Sequence, residues 1–114
     1  MANTFGNATA KNVGTNPVDI YTTGATTRAT IIGINIANTS TSDIEASIKL
    51  RDSTSSEYYI VKDTPIARYA ALAAMGGDQK LVLEPNNVLI VETNKNNSAD
   101  VIVSYLEITS WVDI

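Results

Sequence analysis

The sequence predicts an all-β fold, an antiparallel β-sandwich or flattened barrel of about eight strands with extended terminal arms. Three observations predict it. Apolar and polar residues alternate with a period of two, most cleanly over residues 43–51, where every even position is apolar and every odd one polar. The other apolar runs are short, rich in β-branched residues, and divided by polar turns at spacings of roughly 8–12 residues. The one stretch with helix propensity, residues 66–75, is of marginal length and stands among strands.

Taken in order, residues 11–14 and 18–21 read as two short strands that pair around Asn16-Pro17. Residues 28–38 form a β-branched strand whose core face is marked by Ile32, Ile34 and Ile36. The polar turn 39–42 follows, so this strand and 43–51 are expected to make a hairpin, with Ile44, Ala46, Ile48 and Leu50 facing the core. Residues 52–56 turn the chain into a short aromatic strand, 57–62, giving a second hairpin. Pro65 interrupts the chain, and 66–75 reads as a strand or bridging segment with at most one helical turn, closed by Gly76-Gly77. Strands over 78–84 and 88–92 pair across the tight turn Pro85-Asn86-Asn87, and 99–108 is the last long strand. These assignments divide the chain into a flexible N-terminal arm (1–10), a sandwich domain (11–108) and a C-terminal extension (109–114).

Length and composition limit what such a fold can do. At 114 residues the chain supports one domain, which can bury roughly 65% of its surface. It contains no cysteine and no histidine, so disulfides, thiolate nucleophiles, imidazole-based triads and ordinary zinc sites are excluded. A net charge of −4 argues against nucleic acid as a partner. No apolar run approaches the roughly 20 residues that span a bilayer, and residues 1–7 lack the basic and apolar regions of a signal peptide. Neither a membrane nor a secretory route is expected, and the chain is expected to be made and kept in a cytosol.

Carboxylates are the one catalytic apparatus left by this composition, and the candidates Asp43/Glu45 and Glu84/Glu92 read more simply as a solvated strand row and hairpin ends. Gly76-Gly77 before Lys80 lacks the spacing of a phosphate-binding loop. No cofactor, metal or catalytic residue is therefore assigned, and a non-enzymatic role is expected. The chemistry that remains is adhesive. Phe5 stands alone among small polar residues, and Trp111, Val112 and Ile114 lie past the last strand, where aromatic and aliphatic anchors suit a subunit contact. The last strand is apolar on both faces, with Val101, Val103 and Tyr105 on one and Ile102, Leu106 and Ile108 on the other. Two-sided burial in so small a domain calls for a cover, and a second copy is the simplest. Phe5, Val101, Val103, Tyr105, Trp111, Val112 and Ile114 are the expected interface.

In order along the chain, the blocks 31–39, 58–66, 77–84 and 100–108 resemble small virion structural proteins of tailed bacteriophages, cyanophages among them. The resemblance runs over residues 10–108. It implies a β-sandwich subunit assembled on the particle, as a capsid decoration (cement) protein or as part of the neck, tail or baseplate. Its implied partners are copies of itself, with a homotrimer expected, and the major capsid protein or other virion proteins. The implied location is the virion, after assembly in the bacterial cytoplasm. Residues 67–75, alanine-rich, and 109–114, beyond the usual ending, depart from the pattern. A carbohydrate- or receptor-binding module is the alternative of a different class; it would need exposed aromatic platforms on Tyr58, Tyr59 or Trp111.

Overall fold

The computed structural model describes residues 2–75 and 79–109. Among them are nine strands: β1 (Ala2–Val13), β2 (Val18–Thr22), β3 (Thr27–Asn38), β4 (Ile44–Arg51), β5 (Glu57–Ile66), β6 (Ala71–Met75), β7 (Leu81–Leu83), β8 (Val88–Thr93) and β9 (Ala99–Thr109). They form two antiparallel sheets packed face to face, a β-sandwich. One is five-stranded, ordered β1-β9-β3-β6 with β7 also paired to β3; the other is four-stranded, ordered β2-β8-β4-β5.

Strand positions follow the alternation pattern, but strand partners differ from expectation. Only β4 and β5 are the sequential hairpin that their turn suggests. Successive strands β1–β2, β3–β4 and β7–β8 lie in different sheets, so each of these turns is a corner of the sandwich rather than a hairpin loop. Turn residues favour a reversal of direction without saying whether the next strand pairs or crosses over. What holds each corner is a buried polar side chain. At the β3–β4 corner the Asn38 amide, 2% exposed, donates to the carbonyls of Ser42 and Ile66 at 2.9 and 3.0 Å and accepts from the Ser40 amide at 2.9 Å. Near the β7–β8 corner the Thr23 hydroxyl donates to the Glu84 carbonyl at 2.6 Å and accepts from the Asn87 amide at 2.9 Å. The buried Ser98 ties β9 back to the β1–β2 corner through the Val13 carbonyl. Each such bond supplies a partner that the broken ladder no longer provides.

The core lies between the sheets. Ile31, Ile34 and Ile36 of β3 face Ile44, Ala46 and Ile48 of β4 across it, joined by Leu83, Leu89, Val91, Val101 and Val103. The expected β4 face is thus the inward one, with Leu50 partly buried at its end. On β3 the expected face is corrected: Ile31 is fully buried, whereas Ile32 is only partly covered. The register between β3 and β9 shifts between Ile31 and Gly33, and this bulge breaks the period of two that placed Ile32 inside.

Two further expectations change. Residues 2–10, read as an arm, hydrogen-bond to β9 in unbroken register from Ala2↔Thr109 to Ala10↔Val101, so the sheet begins at Ala2 rather than Lys11. Pro65 does not end its strand: β5 is an edge with a neighbour on one side only, the place where a sheet tolerates proline, and it continues to Ile66. Within 66–75 a tight turn, with the Ala70 amide donating to the Ala67 carbonyl, precedes the short strand β6.

Candidate interaction surfaces

β9 sits between β1 and β3, so its residues fall into cross-strand rows that alternate between the core and the outside of the five-stranded sheet. Val101 and Val103 lie in the inward rows and are fully buried within one copy of the chain. Their expected interface role is corrected, because side chains already enclosed have no surface to give a neighbour. Tyr105 is in the next inward row and is half-buried, its ring stacked on Tyr21 of the opposite sheet at 4.5 Å between centroids. Gly6 lies opposite Tyr105, and a Cβ there would come within 2.8 Å of the tyrosine oxygen. A side chain at this position would have to displace the ring.

Glu107 occupies the inward row after that, where the Tyr21 hydroxyl donates a hydrogen bond to its carboxylate. Burial, and then this hydrogen bond, pushes the Tyr21 phenol well above its ordinary value. The pair joins the two sheets through a proton that Tyr21 keeps. Sequence pattern gave no sign of it, since Glu107 reads as one more polar residue of an alternating strand.

The outward rows present the exposed apolar surface. Register places Phe5, Leu106, Thr30 and Val82 in one row across β1, β9, β3 and β7. Ile102 shares a row with Thr9 and Asn35, and Ile108 shares one with Asn3 and Arg28. Phe5 is 75% exposed, Val82 54% and Ile102 46%. Of the expected interface residues, Phe5 is therefore on this open face, on the opposite side of the sheet from Tyr105. Val82 was missed because the alternation of β7 is only three residues long. Trp111, Val112 and Ile114, like Gly76 and Gly77, lie outside the described residues.

The remaining candidates resolve into local structure. Tyr58 and Tyr59 are each about half-exposed on β5, but consecutive strand residues project to opposite faces and share no platform. The Tyr58 hydroxyl donates to Asp52 at 3.1 Å, and the Tyr59 ring lies beneath two ammonium groups, Lys62 at 5.2 Å and Lys49 at 5.7 Å. Glu84 is paired with Arg28 at 2.9 Å and Glu92 with Lys49 at 3.6 Å, while Asp43 accepts from the Arg68 amide. These carboxylates are engaged as surface partners. A polar depression lies between Gly14 and Asn96, where the Asn96 side-chain oxygen accepts from both the amide and the hydroxyl of Thr15. Among the described residues no three histidine, cysteine, aspartate or glutamate side chains group to hold a metal ion, and no helix is long and apolar enough to cross a membrane.

No protein-family model matches the sequence, and no curated protein does. Solved structures give a match in fold. The whole of this chain aligns with 94% of a chain from the acidic stable capsid structure of Helicobacter pylori bacteriophage KHP30, with a TM-score of 0.58 at 12% identity. A second alignment, to the structure of infectious bursal disease virus Gt strain, covers 94% of this chain and 30% of that one, with a TM-score of 0.39 at 8% identity.

Proposed function

We propose that this chain is a non-enzymatic structural subunit of a phage particle, and specifically a capsid decoration (cement) protein that stabilises the head by bridging its neighbours. The observation that carries the proposal is the end-to-end fold match to a chain of a phage capsid structure. The outward apolar face supports an adhesive role. Phe5, Val82 and Ile102 are exposed large apolar side chains on one face of the five-stranded sheet, and apolar surface left open to solvent suits a contact site. The absence of histidine and cysteine and the engagement of the surface carboxylates are consistent with contact rather than catalysis.

In this reading the protein is made in the bacterial cytoplasm and assembles there with the major capsid protein or other virion proteins. A place in the neck, tail or baseplate is the runner-up, and imaging decides between them. Particles from infected cells should show this fold on the outer surface of the head, and particles lacking the chain should release their genome at a lower temperature than complete ones. Density confined to the tail, or a particle without the chain, would overturn the proposal. The homotrimer expected from the resemblance has analogy as its support; the sheet edges favour another arrangement.

A further inference from the structure

Among the described residues the sandwich has four free edges: β2 and β5 on one sheet, and β1 and the β6/β7 side on the other. An open edge is a row of unpaired N–H and C=O groups ready to capture another strand, and proteins guard it with bulges, charges, proline or shortness. Three of the four are guarded. β5 carries two bulges against β4, together with Glu57, Lys62, Asp63 and Pro65. β2 is five residues long, with Asp19 and a bulge against β8. β6 and β7 are five and three residues long, and β6 is bulged against β3.

The β1 edge has none of these guards along most of its length. Its bulge lies at the far end, between Ala10 and Val13, and Lys11 is its only charged residue. From Ala2 to Ala10 the strand holds nine residues in continuous register, with no charge, no proline and no irregularity. That is about 30 Å of open backbone at the usual rise per residue. Its side chains are small except Phe5, the most exposed large hydrophobic group among the described residues.

We propose that two copies of this chain join edge to edge through β1, antiparallel about a two-fold axis, so that their five-stranded sheets become one continuous sheet. The choice of occupant follows from what the edge needs. A mate for nine unguarded residues must itself be a long, uncharged, unbulged edge, and among the described strands β1 alone meets that description. A second copy also avoids like-charge conflict. Each chain carries −4, but none of that negative charge lies on residues 2–10, so the pairing opposes no two acidic groups. A two-fold axis perpendicular to the sheet sets odd residues opposite odd ones, which keeps both Phe5 rings on the outward face and gives each the partner's outward side chains as cross-strand neighbours. The contact is isologous, as two-fold dimers require. The inference does not depend on where in a particle the protein resides.

Sedimentation of the full-length chain across the micromolar range tests it. The unaltered protein should show a concentration-dependent dimer. Combined Phe5→Lys and Asn7→Lys, both at exposed outward positions, should weaken that dimer about tenfold or more while the far-ultraviolet spectrum and melting temperature of the monomer hold. Val82→Lys, on the same face but away from the edge, should leave it intact. Because the chain has no cysteine, single cysteines placed in turn at Thr4, Phe5, Asn7, Ala8 and Thr9 give an independent readout. Directly opposed antiparallel residues have Cα atoms about 4.5–5.5 Å apart, within disulfide reach, so crosslinking should peak around one position and fall on either side. A monomer at all concentrations, a trimer, a dimer indifferent to the β1 lysines, or a flat crosslinking profile would each overturn the proposal.

Discussion

Along β9, Val101 and Val103 are enclosed between the sheets, while Ile102, between them in sequence, is 46% exposed, with Leu106 and Ile108 in outward rows beyond it. Both faces of the strand are apolar, and composition does not distinguish them. The inward face is completed by the four-stranded sheet of the same chain; the outward face of the described residues has no such layer. An apolar strand face therefore marks the need for a cover without saying whether the chain supplies it. In β9 it does so on one side only, and the apolar side chains left without a cover are those of Ile102 and of the Leu106 and Phe5 row rather than Val101 and Val103.

The largest expected effect comes from breaking the inward side. Val103→Ala removes buried carbon from a fully enclosed site, and transfer plus cavity terms put the loss at about 2 kcal/mol or more. Ile48→Ala, on the opposing sheet, should cost more, about 2–5 kcal/mol. Denaturant midpoints measure both. A change below half a kilocalorie, on the order of an exposed substitution, would mean that these side chains do not pack between the sheets.

Next in size is the link between sheets at Tyr21 and Glu107. Tyr21→Phe leaves the carboxylate without its donor in a partly buried site, a loss of about 1–3 kcal/mol. Its pH dependence has a definite sign. The folded state holds the Tyr21 proton more tightly than the unfolded chain does, so the associated stability is fully present below the ordinary phenol value of about 10 and is lost as pH rises above it. Alkaline unfolding followed by phenolate absorbance should therefore be steeper in the unaltered protein than in Tyr21→Phe. Identical alkaline curves would dissolve the link.

The same contrast explains how much of the molecule could be read from sequence. Strand positions were legible wherever a buried face imposes the period of two, as at Ile44, Ala46 and Ile48. Pairing was not, because the corners at Asn38 and Thr23 depend on buried side-chain bonds to residues distant in sequence, such as Ile66 and Glu84. Phase failed at Ile32 because a bulge inserts a residue that no alternation foretells. Residues 2–10 of β1 were invisible as a strand: Asn3, Gly6, Asn7 and the alanines have weak β-propensity, and only the register with β9 makes them one. The outward apolar face was half legible, since Phe5 and the two-sided pattern of β9 were apparent and the side that faces outward was not.

The smallest effect on folding is expected on the outward row, and it separates the two faces most sharply. Ile102 shares its row with Thr9 and Asn35, whose polar side chains leave it little to pack against. Ile102→Ser should change the stability of the isolated chain by no more than about 0.5 kcal/mol, as surface substitutions away from caps, cavities and buried networks do. If the outward face is the one that grips the particle, the same substitution should deplete the chain from assembled heads, read as its ratio to the major capsid protein in purified particles. Val103→Ala should show the reverse: a destabilised chain that still binds at temperatures where it remains folded. Equal loss of binding in both variants at such a temperature would place the contact elsewhere and leave the exposure of Ile102 without a role in adhesion.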